Sequence, residues 1–346
     1  MNLADRIETF LTLGKRLIQE SEPQKGFAFS EVIESAEHYN PWFTPENTRY
    51  AARSIANDWL SERNLITWIG KYPETYFSTC NVKTVGVVMA GNIPFVGFHD
   101  LLCVLITGHR FLGKFSSKDG GLMNALCKMI CEINPVFSDY ISITEDNLQD
   151  FDAVLATGSS SSSKYFDYYF KNYPSIIRKH RNSIAVLSGN ESVDELTGLG
   201  SDIFLYYGLG CRNVTKLFVP LGYDFEPLLN AFHPWEKLII NNKYVNNYEY
   251  YRALFLMNRI IHLDSGYLLI RDEESIGSPV GVLHFEYYSE PEDVKRKITS
   301  HANEIQCVVA SSGLIPNSIP FGKSQHPSID EYADGIDTIK FLNSLF

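Results

Sequence analysis

TVGVVMAGNIPFVGFHDLLCVLITGHRFLGKF, residues 84–115, decides the fold. A short apolar run, TVGVVMAG, ends at a glycine. A helix-length apolar stretch follows through HDLLCVLITG, and a second short run, RFLGKF, closes the unit. Short apolar runs bounded by breakers read as buried strands, and the longer stretch between them reads as a helix. The same alternation continues downstream with helix GGLMNALCKMICEI (120–133), strands YISIT (140–144) and AVLAT (153–157), helix KYFDYYFKNYP (164–174) and strand SIAVLSG (183–189). Alternating β and α elements of this length imply a mostly parallel sheet with helices on both faces.

Upstream, ADRIETFLTLGKRLIQ (4–19) and TPENTRYAARSIANDWLSERNLITWIGKYP (44–73) read as an N-terminal helical layer, with Thr44 and Glu46 at a helix start. Beyond residue 190 a second block carries strand VGVLHFEYY (280–288), helix PEDVKRKITSHANE (291–304) and strand QCVVAS (306–311). A chain of 346 residues exceeds what one core usually serves. The expected division is 1–185 for the N-terminal helices and dinucleotide-binding domain, 186–315 for a catalytic domain, and 316–346 for a return segment and oligomer contact.

Composition narrows the function classes. A net charge of −11 argues against a nucleic-acid surface, which needs clustered Lys and Arg. The N-terminus carries charge throughout, and no run approaches the roughly 18 apolar residues of a membrane span, so a cytoplasmic location without a membrane span is expected. Cysteines at 80, 103, 127, 131, 211 and 307 form no metal-spaced cluster, so thiols and no metal site are expected. Cys80, Cys103, Cys127, Cys131 and Cys307 read as packing residues.

Cys211 differs in its setting. GLGCRNVTKLFVP (208–220) places it after a Gly-Leu-Gly turn, beside Arg212 and ahead of a strand. Such a turn exposes a side chain, and a neighbouring cation activates a thiol nucleophile; a small buried apolar residue is the competing reading. Asn92 follows a strand end, where an amide either donates to an oxyanion or satisfies a turn. Lys114 also follows a strand, and holds a ribose or stands as a solvated surface charge. The run GSSSSS (158–163) between a strand and a helix suits a phosphate-facing turn, with a flexible linker as the other reading.

In order, these segments resemble the aldehyde dehydrogenase superfamily, and within it the fatty acyl-CoA reductase branch of bacterial luminescence operons, over most of the chain. VMAGNIPFVGFHDLLCVLITGHRFLGKFSSKDG (88–120) resembles the superfamily's Asn-x-Pro and Lys-Pro-Ser segments. LATGSSSS (155–162) resembles its Thr-Gly-Ser phosphate turn, and GLGCRN (208–213) its Gly-Gln-x-Cys nucleophile motif. DEESIGSPVGVLHFEYYSEPEDV (272–294) resembles the Glu-x-Phe-Gly-Pro-Val stretch, and IPFGKSQHPS (319–328) the C-terminal Pro-Phe-Gly segment. The resemblance implies an aldehyde-dehydrogenase-like α/β fold, with a Rossmann-type parallel-sheet domain and a second α/β catalytic domain. It implies Cys211 as nucleophile and Asn92 as oxyanion donor. Lys114, Ser116, Thr157, Gly158, Ser159 and Glu274 are implied as cofactor-binding residues.

Departures from the pattern carry information. Val186 stands where hydrolytic members keep a general-base Glu, Leu209 replaces the motif's Gln, Phe115 replaces its Pro, and Ser278 separates Gly277 from Pro279. Without that base, hydride transfer to a thioacyl intermediate is favoured over its hydrolysis. Ser116, Ser117 and Lys118 offer no acid to a ribose 2′-hydroxyl, which points to NADPH in preference to NADH. The expected function is therefore reduction of an acyl-CoA or other acyl thioester to the aldehyde. An acyl-phosphate reductase and a non-catalytic scaffold subunit with a vestigial dinucleotide site are the alternatives. Expected partners are the thioester substrate, an acyl-transferring or acyl-activating enzyme, and a second copy in a homodimer.

Overall fold

The computed structural model describes residues 1–23, 26–78 and 81–345. They form two units, Met1–His180 with Pro327–Phe346, and Arg181–His326.

In the first unit, α1 (Leu3–Glu20) starts at Asn2, whose side chain accepts from Asp5 N at 2.8 Å. Helix α2 (Ala28–Tyr39) follows, and α3 (Pro45–Ser54) is capped by the Thr44 hydroxyl and opened by a proline, as the sequence pattern predicts. The run beyond it is not one helix. A π-helical turn at Ile55–Trp59 interrupts it before α4 (Glu62–Ile69).

The strands are β1 (Thr84–Val88), β2 (Arg110–Lys114), β3 (Ile141–Ile143), β4 (Ala153–Thr157) and β5 (Ser175–Arg178), with α5 (Phe98–Ile106), α6 (Leu122–Ile133) and α7 (Ser160–Tyr169) between them. They form one parallel sheet in the order β3-β2-β1-β4-β5. Ala153 to Ala156 of β4 are all buried, as expected of a strand covered on both faces. Helix α5 is apolar apart from His99 and Asp100, the latter buried in an ion pair with Arg178 of β5 at 2.6 Å, and of its residues only His99 is not buried. The chain winds from β1 through β2 to β3 and then returns to place β4 on the other side of β1. This reversal is the topological switch point, where open α/β sheets take ligands at their carboxyl edge.

The second unit begins with β6 (Asn182–Val186) and α8 (Val193–Phe204), then β7 (Val214–Pro220), α9 (Glu226–Phe232), α10 (Asn242–Met257), β8 (Leu263–Asp264), β9 (Leu269–Asp272), β10 (Val282–Tyr288), α11 (Pro291–Ser300) and β11 (Ile305–Ala310). Its sheet runs β11-β6-β7-β10-β9-β8, parallel except for the β8–β9 pair. The chain then returns to the first unit, where α12 (Thr338–Asn343) lies.

The divisions fall at 180/181 and 326/327, where the sequence suggested 185/186 and 315/316. SIAVLSG pairs with β7 and β11 of the second sheet, so that strand opens the second unit instead of closing the first. The segment 316–326 stays in the second unit because Asp202 of α8 holds it, accepting from Gly322 N at 2.7 Å and Ser324 N at 2.9 Å. Among the described residues, no helix is long and apolar enough to cross a membrane.

Candidate active site

The nucleophile turn is built from the end of α8. After Phe204 the backbone enters the left-handed region at Tyr206 (φ 54°) and Tyr207 (φ 58°), an unusual conformation for large side chains, and again at Gly208 (φ 74°). This reversal delivers Gly210–Asn213 as a turn ahead of β7. Cys211 sits on it, half-buried.

Asn213, which the sequence reading passed over, fixes the turn. It is fully buried, and its Nδ2 donates to the carbonyls of Asp202, Ile203 and Leu205 at 3.1, 3.2 and 2.9 Å. These are carbonyls at the C-terminal end of α8 and just beyond, which helix geometry leaves without intrahelical partners. Its Oδ1 accepts from Gly210 N at 2.8 Å, tying the turn to the helix end. Ser183 of β6 holds the next peptide, its hydroxyl donating to Cys211 O at 3.0 Å and lying 3.1 Å from Cys307 Sγ. The Arg212 guanidinium donates to Ser324 O. With the backbone pinned on both sides, the thiol has a fixed origin.

Val186 at the end of β6 is fully buried in an apolar cluster with Ile184, Phe218 and Ile276. Glu274 follows β9 with its residue exposed, on a loop whose carbonyls are held from β7.

The other expected residues lie on the carboxyl edge of the first sheet. Asn92 is half-buried in the loop after β1, three residues before Phe95, whose backbone is left-handed (φ 57°). A Cβ on Gly91 would lie 2.6 Å from Ser116 Oγ, so glycine is what allows this loop to approach the segment after β2. Asn40 binds both segments, donating to Gly91 O at 3.4 Å and Lys118 O at 3.1 Å. Lys114 Nζ donates to Asn147 Oδ1 at 3.3 Å. Lys114 and Ser116 line a cleft of about 1040 Å³, together with Asp119, Thr144 and Glu145.

Asp119, one residue beyond the stretch read for cofactor preference, brings an acid to that wall. It is buried and caps α6 by accepting from Met123 N at 2.8 Å, and burial raises its carboxyl to a pKa of about 6.

Thr157, Gly158 and Ser159 form the turn from β4 into α7. The Ser159 hydroxyl accepts from Ser162 N at 3.2 Å, so the serine run starts a helix and is not a linker. A Cβ on Gly158 would lie 2.8 Å from the Phe166 ring, which makes this a tight turn. These three residues are not among those lining the cleft of Lys114 and Ser116.

Of the cysteines read as packing, Cys103, Cys127 and Cys307 are buried and Cys131 is half-buried; Cys80 lies outside the described residues.

The two units together carry an aldehyde dehydrogenase fold. Aldehyde dehydrogenase 21 from Physcomitrella patens, solved with the reaction product succinate, is similar at TM-score 0.69 and 12% identity over 100% of this chain and 84% of that one. An acetylating aldehyde dehydrogenase from Geobacillus thermoglucosidasius is similar at TM-score 0.65 and 11% identity, over 95% of this chain and 86% of that one. An indole-3-acetaldehyde dehydrogenase from P. syringae, solved with NAD+ and IAA, is similar at TM-score 0.65 and 13% identity, over 90% and 72%. Identities this low establish the fold and nothing finer.

A family model matches part of the chain. Residues 60–224, the stretch that contains Asn92, Lys114, the serine turn and Cys211, match the model of the acyl-CoA reductase (LuxC) family. The resemblance read from the sequence is thereby borne out over that stretch, and the chain is an aldehyde-related oxidoreductase. No curated protein matches the chain.

Proposed function

We propose that this protein reduces an acyl-CoA, or a related acyl thioester, to the aldehyde with NADPH, through a thioacyl intermediate on Cys211. The observation that carries the reading is the nucleophile turn. A half-buried cysteine is held by Asn213 and Ser183 on a reversed backbone, inside the stretch that matches the reductase family. Val186 supports the direction. At that position a buried valine can neither take a proton from water nor offer space beside itself for one.

The Cys211 sulfur attacks the thioester carbonyl, its S–H proton passing out as the C–S bond forms. The Asn92 amide, with the Cys211 backbone N–H, is the donor set for the oxyanion. Collapse of the tetrahedral adduct expels the carrier thiolate, which takes up a proton. NADPH, when bound, supplies hydride to the thioacyl carbon. The Cys211–carbon bond then breaks, and the aldehyde leaves with Cys211 restored.

The first unit suits a dinucleotide on its own geometry. Its switch point presents a tight Thr157–Gly158–Ser159 turn, the N-terminus of the ten-residue α7 and an open cleft beside Lys114 and Ser116. These residues would hold the cofactor, with Glu274 on the nicotinamide ribose. NADPH is preferred in this reading because Ser116, Ser117 and Lys118 present no acid and the Asp119 carboxylate is engaged by the α6 backbone. A second copy in a homodimer and an enzyme that supplies acyl groups are the proposed partners.

The reading is tested by following NADPH oxidation against a series of acyl-CoA chain lengths. Aldehyde should form, and Cys211→Ala should form none. Turnover retained by that variant would contradict the assignment.

A further inference from the structure

The second unit buries one ammonium group deeply, and most of its hydrogen bonds go to the loop that carries Glu274. Lys216 on β7 is fully buried. Its Nζ donates to Glu273 O at 3.0 Å, to Glu274 O at 2.6 Å and to Glu286 Oε2 at 2.7 Å, so each of its three hydrogens has an acceptor. Glu286 is paired in turn with Lys297 of α11.

Removing an ammonium from water is unfavourable, and an apolar side chain of similar length would fill the space without that penalty. An ion pair with Glu286 would not by itself require the loop. Here two of the three bonds fix consecutive carbonyls of one segment. The neighbouring residue acts on the same loop, with Thr215 Oγ1 donating to Ile276 O at 2.8 Å. From the adjacent strand β10, the His284 ring lies 3.1 Å from Ser275 O, and Glu273 N donates to Phe285 O at 3.1 Å. The backbone of 273–276 is therefore gripped by β7 and β10, while Glu274 itself stays exposed.

We propose that Lys216 is a positioning residue for the cofactor: by holding the carbonyls of Glu273 and Glu274 it sets the direction in which the Glu274 side chain meets the nicotinamide ribose. β7 leaves the Cys211 turn and reaches Lys216 five residues later, so one strand sets both the nucleophile and the ribose ligand. The inference rests on the roles given above to Cys211 and Glu274.

The test separates two half-reactions in Lys216→Met, Lys216→Arg and Thr215→Val. Acylation of Cys211 by acyl-CoA, read by intact mass without cofactor, reports the nucleophile. The KM for NADPH and the kcat report the ribose contact. Lys216→Met should acylate like the native enzyme while its KM for NADPH rises on the order of ten- to a hundredfold, the scale of a misplaced binding group. Lys216→Arg, which keeps donors in place, should recover most of that loss. Combining Lys216→Met with Glu274→Gln should be no worse than Glu274→Gln alone.

A KM for NADPH within twofold of native, acylation slowed as much as reduction, or additive losses in the double variant would each overturn the proposal. If Lys216→Met does not fold, Thr215→Val carries the test. A smaller rise in KM with acylation intact supports the proposal, and an unchanged KM overturns it. Native enzyme that neither acylates nor oxidises NADPH overturns the functional reading and this inference with it, a result distinct from a Lys216 variant that fails alone.

Discussion

At the level of single residues, the thiol and the group that places it were not equally visible in the sequence. Cys211 is legible because a Gly-Leu-Gly turn, a cation and a following strand are all within five residues of it. Asn213 is not, because its work depends on carbonyls eight to eleven residues upstream, which only the folded end of α8 brings within reach. Asn213→Ala would strand those buried carbonyls and free Gly210 N, at a cost of roughly 2–5 kcal/mol by the scale of unsatisfied buried groups. Thermal unfolding should show a lowered Tm, and an unchanged Tm would refute the clamp. Asn92→Ala tests the oxyanion donor. It should lower kcat about 10²- to 10³-fold, the usual effect of losing one such donor, in steady-state assays with the acyl-CoA at saturation.

At the level of elements, the strand-helix-strand pattern of 84–115 was readable because β1 and α5 are apolar and buried through their middles, with β2 a short run between breakers whose Phe111 and Gly113 are buried. The break between α3 and α4 was not, since the π-helical turn leaves the helical composition of the run unchanged. Nor was β5, whose Ser-Ile-Ile-Arg is too short to stand out.

The start of α6 gives a prediction in pH. Asp119 has a folded pKa of about 6, raised by burial against the lowering effect of the Met123 N–H. The folded state therefore binds this proton more tightly than the unfolded chain does. The stabilisation is present below about pH 4 and lost as pH rises through about 6, an effect on the order of 2–3 kcal/mol. Asp119→Asn keeps an acceptor for Met123 N without a charge. It should raise Tm over native at pH 7 and lose that advantage at pH 4, whereas an equal difference at both pH values would count against the cause given.

Helix α8 gives a second prediction, because Gly198 lies one turn before Asp202 and its Cβ would stand 3.1 Å from Gly322 N and Phe321 C. Gly198→Val should lower stability by about 1–3 kcal/mol, the usual range for overpacking against backbone that cannot yield, measured by denaturant unfolding.

At the level of the whole molecule, two mainly parallel sheets divide the expected chemistry between them. The first carries the small-residue turn, Lys114, Ser116 and Asn92 on its carboxyl edge; the second carries Cys211 and Glu274. The sequence placed these residues on the right kinds of element but set the divisions five and eleven residues away. Hydrophobic pattern locates a strand without saying which sheet it joins, and β6 joins the second. Cofactor preference was read from Ser116, Ser117 and Lys118, while the cleft that Ser116 and Ser117 line also holds Asp119 and Glu145.

The central claim is that Cys211 accepts the acyl group. It is tested most directly by mixing the native protein with an acyl-CoA, without cofactor, and measuring intact mass and the modified peptide. The account predicts one acyl group on Cys211, discharged as aldehyde when NADPH is added. An unmodified chain, or an acyl group on another residue with Cys211 untouched, would contradict it.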